Sequence, residues 1–177
     1  QLHKGIEFDI EYRPKGGCYS LTAFGQTGRW EYRGTTPYRL QNENTLDIVE
    51  EGDVNLTGAR VGNAPQTQFG AGMDLDLSKG LSVDVNYIYN KDLYEFVNPG
   101  DVAEAALAGV KYQNERLNPY SLFDAGVTYK FNFGDQKVVF RSNVYNLFNT
   151  GYVNQKDAYG YFLGVRRTFN ASLRLNF

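Results

Sequence analysis

No stretch of this sequence stays apolar for anything near the roughly 20 residues that a membrane-crossing helix needs, and mean hydropathy is −0.48. That excludes a helical membrane protein. It does not exclude a β-barrel, because a strand in a barrel wall meets lipid only at every second residue. Cysteine occurs once, as Cys18 in PKGGC, so no disulfide can form within the chain, and nothing beside it suggests a metal site or a base. It reads as a stray thiol at a turn. Histidine also occurs once, at His3, so a multi-histidine metal site or a Ser-His-Asp arrangement would have to be built on a frayed terminus. No block of one charge sign exists: 18 basic and 20 acidic residues intermingle to a net −2, which leaves no electrostatic footprint for nucleic acid.

What the chain has in plenty is tyrosine (14), phenylalanine (12) and glycine (19), a composition of strands and turns. Its 177 residues suffice for one domain. Period-2 alternation resolves it into seven segments. GIEFDIEY sets Ile6, Phe8, Ile10 and Tyr12 against Glu7, Asp9 and Glu11. A second segment, Tyr19 to Tyr32, alternates cleanly and then blurs at Phe24; QFGAGMDLDLS, LSVDVNYIYN, FDAGVTYKFNF and VVFRSNVYNLF follow. The seventh runs from about Tyr161 to Phe177, interrupted by Arg167.

The connections alternate in length. PKGG, SKG and FGDQK are tight and rich in turn residues, whereas Arg33 to Pro65, Val97 to Pro119 and Asn149 to Gly160 are long and polar. One end of the sheet therefore carries turns and the other carries loops. In the second long loop, DVAEAALAG offers Asp101 as an N-cap, Glu104 three residues on and Gly109 as a stop, which predicts a short helix.

Alternation alone also suits a soluble β-sandwich. Length favours a membrane wall: the fifth to seventh segments exceed ten residues, where globular strands average about 5–6 and membrane strands need about 9–11. Aromatic residues add to this, with Tyr12, Tyr19, Phe131, Phe133 and Phe177 toward the turns and Tyr87, Tyr89, Tyr152 and Tyr161 toward the loops, as two interfacial belts require. The apolar face carries almost no charge apart from Arg167. Glu7, Asp9, Glu11, Asp74, Asp76, Asp84, Asp124, Lys130, Arg141, Arg166 and Arg174 share the other face, which needs water.

GIEFDIEYRP, the Asn63–Gln66 N-A-P-Q segment, LFDAGVTYKF, NVYNLFNTGY (Asn143 to Tyr152) and the closing YFLGVRRTFNASLRLNF together resemble the C-terminal part of TonB-dependent outer-membrane receptors. The V-x-N-L-F-N-x-x-Y element before the last strand is the most specific of these. The resemblance implies an antiparallel up-and-down transmembrane barrel segment, the last seven strands of a 22-stranded barrel, with residues 1–177 forming its C-terminal portion and no plug domain. It further implies location in the bacterial outer membrane and import of scarce nutrients such as siderophore-iron, cobalamin or oligosaccharides. The implied partners are outer-membrane lipid, the rest of the barrel and its plug, TonB through an N-terminal segment, and the assembly machinery. An assembly signal of the family's kind falls on Asn170, Ser172, Leu175 and Phe177, with serine where the pattern has glycine.

QLHKGIEF shows no charged region followed by an apolar stretch, so either a leader was removed or this is an internal piece. Glu7, Asp9 and Glu11 could attract a cation, but a solvated lumen wall explains them. Glu50–Asp53 lacks calcium-loop spacing, and the sequons at Asn55 and Asn170 have no force in a bacterial barrel. Tyr38 and Tyr112, in long loops, are candidates for ligand contact from outside. No nucleophile–base pair is apparent, so the expectation is transport without catalysis or cofactor. A self-contained small barrel of structural or adhesin type, with an eighth strand, and a soluble sandwich binding module remain the alternatives.

Overall fold

A computed structural model describes residues 1–176. Seven strands form one sheet: β1 (Leu2–Tyr12), β2 (Tyr19–Glu31), β5 (Thr67–Ser78), β6 (Leu81–Lys91), β7 (Tyr120–Phe133), β8 (Gln136–Tyr145) and β11 (Thr168–Asn176). They lie side by side in that order, every neighbouring pair antiparallel, with β1 and β11 at the two edges. This is the expected up-and-down wall. The remaining strands are two hairpins within the long connections: β3 (Thr35–Gln41) with β4 (Ile48–Asn55), and β9 (Val153–Asp157) with β10 (Gly160–Leu163).

Register keeps the sorting intact from strand to strand. One lateral row runs Tyr19–Leu75–Val83–Val127, and the next layer along the strands runs Leu21–Met73–Val85–Ala125. Among the described residues no second layer covers this face. Ile6 is 74% exposed, Ile10 58% and Leu173 62%, although a soluble sheet would bury such residues. Glycine adjusts the packing: a Cβ at Gly25 would stand 2.5 Å from the Phe8 ring and 2.7 Å from that of Phe69, so its absence lets the two rings close over the strand. Gly80, at φ 98°, makes the tight turn between β5 and β6.

Three expectations need correction. The seventh segment is not one strand from Tyr161: β10 belongs to a loop hairpin, residues 164–167 break the chain, and the wall resumes at Thr168. There Arg167 donates its backbone N–H to Asn149 Oδ1 instead of continuing a ladder. Helix α1 (Pro99–Leu107) exists, but its N-cap is Asn98, whose side chain accepts from Gly100 N; Asp101 falls within the first turn and Gly109 follows the end at φ 65°. Tyr152 and Tyr161, assigned to the outer belt, are drawn into the loops. Phe24, Ile88 and Leu122 depart from the alternation by standing on the polar face, where Phe24 lies over Gly70.

The buried core cluster lies among the loops, while Val138 on β8 is a buried hydrophobic of the main sheet. Val54, Leu56, Ala59, Val102 and Tyr112 form the cluster, tying the β3–β4 hairpin to α1.

Candidate functional site

The polar face is graded in charge. Glu7, Asp9, Glu11, Asp74, Asp76 and Asp84 stand on β1, β5 and β6, while Lys130, Arg141 and Arg174 on β7, β8 and β11 are joined by one acid, Asp124 on β7. At the boundary Arg141 reaches over β7, Nη1 to Asp84 Oδ1 at 2.5 Å and Nη2 to Asp84 Oδ2 at 3.1 Å, while also donating to Thr128 and Asn143. Ser20 donates to Asp74 at 3.0 Å. These are the solvated, hydrogen-bonded ions of a wet surface. Among the described residues no group of three or more His, Cys, Asp or Glu is placed to hold a metal.

Above the wall the three long connections lock together. Gln66, 1% exposed, donates Nε2 to the carbonyls of Trp30 and Val61 and accepts Trp30 N–H on Oε1, so the last residue of N-A-P-Q clamps the end of β2. Asn114 accepts Arg60 N–H and donates to the carbonyls of Arg60 and Glu95. Lys156, on β9, sits between Glu95 at 2.7 Å and Glu115 at 2.6 Å, and Tyr161 Oη donates to Glu115. The two carboxylates, Glu115 first, push the Lys156 ammonium well above its ordinary pKa. Glu115 is held below the usual carboxylate range by Lys156 and then by Tyr161, while the Tyr161 hydroxyl is raised by its bond to Glu115.

The V-x-N-L-F-N-x-x-Y run is a built corner. Asn146 is buried at φ 51°; its Oδ1 accepts Thr150 N–H and its Nδ2 donates to the carbonyls of Thr150 and Val165. Phe148 meets Phe123 edge-on at 5.2 Å. Tyr152 packs against Tyr120 with ring centroids 4.2 Å apart and planes tilted by 31°, and lies over Gly164, where a Cβ would overlap its ring. Arg166 crosses Gly151 and donates to the Asn149 carbonyl. Tyr120, Tyr152 and Arg166 line a cleft of about 310 Å³ at the loop end. Sequence reading placed the motif but missed this cleft. Its signal was the pairing of Tyr152 with Gly164, twelve residues apart, and neither residue alone reveals it.

Of the loop tyrosines singled out above, Tyr38 donates to Glu50 at 2.6 Å, which raises its pKa, and leans on the loop core. Tyr112 is 4% exposed, with burial raising its pKa; it is a core residue of the cap and does not present its ring outward. Asn170 and Ser172 stand on the polar face of β11, opposite Asn143 and Arg141, and Leu175 on the apolar face opposite Val138. Phe177 lies outside the described residues.

A family model described as TonB dependent receptor-like, beta-barrel, matches residues 1–147. The chain belongs to that family. Proteins of that family are outer-membrane receptors. Among solved structures, the siderophore receptor PiuA from Acinetobacter baumannii aligns over 98% of this chain and 22% of its own length, at 16% identity and a TM-score of 0.67. The closed form of the ferric-catecholate import receptor Fiu from E. coli K12 aligns over 97% of this chain and 27% of its own, at 19% identity and TM-score 0.50. BauA, the ferric preacinetobactin receptor of A. baumannii, aligns over 97% and 29% at the same identity and TM-score. The chain thus spans between a fifth and a third of these receptors' length, and at such identities the likeness is one of fold. No curated protein matches it.

Proposed function

We propose that residues 1–177 are the C-terminal portion of the barrel of a TonB-dependent importer in the bacterial outer membrane. The observation that carries this reading is the uncovered apolar face of a seven-stranded sheet, backed by an ionic face and capped by loops at one end alone. An exposed apolar area spread over seven strands far exceeds what a soluble monomer shows, and lipid is the solvent that makes it favourable. The ionic face then lines the lumen, and the rest of the barrel and a plug complete the enclosure.

In this reading the cargo is a scarce nutrient, such as a siderophore-bound iron, captured by the outer loops and the plug. TonB engages an N-terminal segment beyond this chain. The cleft of Tyr120, Tyr152 and Arg166 faces arriving cargo, with Tyr38 and Tyr112 shaping the cap beside it. Asn170, Ser172, Leu175 and Phe177 form the strand end read by the assembly machinery.

The test is a pair of spin labels, at Val127 and Thr128, in the intact parent protein reconstituted in bilayers. These neighbours face opposite sides of β7. Val127 is expected to be relaxed by oxygen dissolved in lipid and Thr128 by a water-soluble nickel chelate. The same environment at both positions sinks the reading.

A further inference from the structure

Phe24, Ile88 and Leu122, apolar residues on the ionic face, are not scattered there. They fall in a single lateral row, Phe24–Gly70–Ile88–Leu122, across β2, β5, β6 and β7. All four are interior strands, each paired on both sides, so the row has all its neighbours. The rows beside it are polar: Thr22–Gly72–Asn86–Asp124 toward the turns and Gln26–Gln68–Asn90–Tyr120 toward the loops.

Two glycines shape the row. A Cβ at Gly70 would run into the Phe24 ring, which lies across the bare backbone. A Cβ at Gly72 would stand 2.6 Å from Thr22 Oγ1 and 2.8 Å from Asn86 Oδ1, and its absence leaves a hollow of about 200 Å³ bounded by Phe24, Ile88, Leu122, Thr22, Asn86 and Asp124. Asp124 is held in place on one oxygen, which accepts the Asn146 N–H at 2.8 Å. A row of apolar side chains about 14 Å long, rimmed by hydrogen-bonding groups, has the layout of a docking surface. Phe24 is still 38% exposed, so the row is open to cover. Size selects the occupant. Pockets that hold whole ligands run to about 300–1,000 Å³, so this hollow takes one side chain and not a free molecule.

We propose that this row is a seat on the barrel wall for the plug of the parent protein, which buries one aliphatic or aromatic side chain in the hollow over Gly72. The inference rests on the membrane-barrel reading above, in which the ionic face lines the lumen and the plug helps to enclose it. The chain spans between a fifth and a third of the length of the receptors it aligns with, so in that reading most of the parent lies outside residues 1–177. A segment tethered within the lumen meets the wall at high effective concentration, so one apolar contact suffices where a free partner needs a far larger area.

The test uses the intact parent protein reconstituted in bilayers, with a separate spin-labelled sample at Val127 as the lipid marker. Ile88→Cys is expected to react with a water-soluble maleimide about tenfold more slowly than Thr128→Cys on the same face, because the seated side chain excludes water from the row. Benzoylphenylalanine placed at Leu122 is expected to photocrosslink to a peptide of the plug. Equal maleimide rates overturn the inference while Val127 still reports lipid. A Leu122 crosslink confined to the barrel's own strands also overturns it, and an adduct of small-molecule mass gives the hollow to cargo instead. A Val127 label that reports water removes the membrane reading and this seat with it.

Discussion

Arg141 on β8 and Asp84 on β6 are joined by a two-point ion pair that crosses the intervening strand above Gly126. A Cβ at Gly126 would stand 2.5 Å from Arg141 Nη2 and 2.7 Å from Asp84 Oδ2. Glycine is therefore required here for the space it leaves, since β7 is ordinary extended strand. Gly126→Val should open the pair and lower the unfolding free energy of the intact barrel by about 1 kcal/mol. That is less than a fully buried pair would lose, because Arg141 is 37% exposed in a wet wall. Urea unfolding of Gly126→Val, Asp84→Asn and the double variant measures it. The two changes should be strongly non-additive, and simple additivity would show that Gly126 serves some other purpose.

This pair marks where sequence reading stops. The wall strands were legible because lipid on one side and water on the other impose a period of two, and Glu7, Asp9 and Glu11 could be assigned a face from that alone. Arg141 and Asp84 were each assigned to the polar face, but the bond linking these residues 57 positions apart depends on register across three strands, which alternation does not specify. The loop hairpins escaped for a different reason. In β3 the alternation is only four residues long, Tyr38 and Leu40 half-buried against exposed Arg39 and Gln41, and it is preceded by Pro37, too short a run to read as a strand. Likewise the interruption at Arg167 was visible as a charge, but that it ended a hairpin and began a strand depended on Asn149, eighteen residues away.

Gln66 should be the most sensitive single position in the cap. Its side chain satisfies three backbone groups in a site that water does not reach, and each buried group left without a partner costs about 1–3 kcal/mol. Gln66→Ala is expected to destabilise by about 2–3 kcal/mol. Gln66→Glu should be no better, since a carboxylate cannot donate to the Trp30 and Val61 carbonyls. Hydrogen exchange at the Trp30 amide reports the change directly. Unaltered protection in both variants would remove the clamp.

The cluster of Lys156, Glu95, Glu115 and Tyr161 gives the loops a defined pH range. Glu115 is depressed in the folded cap, so its contribution is present above the ordinary glutamate pKa of about 4.3 and is lost as pH falls through the lower folded value. Lys156 is raised, so its contribution is complete below the ordinary lysine pKa of about 10.4 and is lost only as pH rises through the higher folded value. The β9–β10 hairpin should stay docked from mildly acidic pH to beyond pH 10 and loosen in stronger acid. Lys156→Met should abolish the protection throughout. Hydrogen exchange of the Phe96 amide, which donates to the Lys156 carbonyl at 2.8 Å, follows the docking.

Asn146 combines two demands that separate variants can resolve. Its backbone occupies the left-handed region at φ 51°, and its buried side chain makes three hydrogen bonds that fold the corner between β8 and β11. Asn146→Gly keeps the backbone and loses the bonds; Asn146→Ala loses the bonds and also carries the strain of a Cβ in that region, about 1 kcal/mol more. Both should free the segment 147–167, and alanine should do so more. Asn146→Asp keeps the bond from Thr150 N–H but turns an acceptor toward the Thr150 and Val165 carbonyls, so it should fall no higher than glycine. Cleavage rates by a non-specific protease within 147–167, at fixed temperature, give the ranking wild type, then glycine, then alanine. If alanine proves as resistant as glycine, backbone conformation is not what asparagine supplies, and the V-x-N-L-F-N motif owes its asparagine to the side-chain bonds alone.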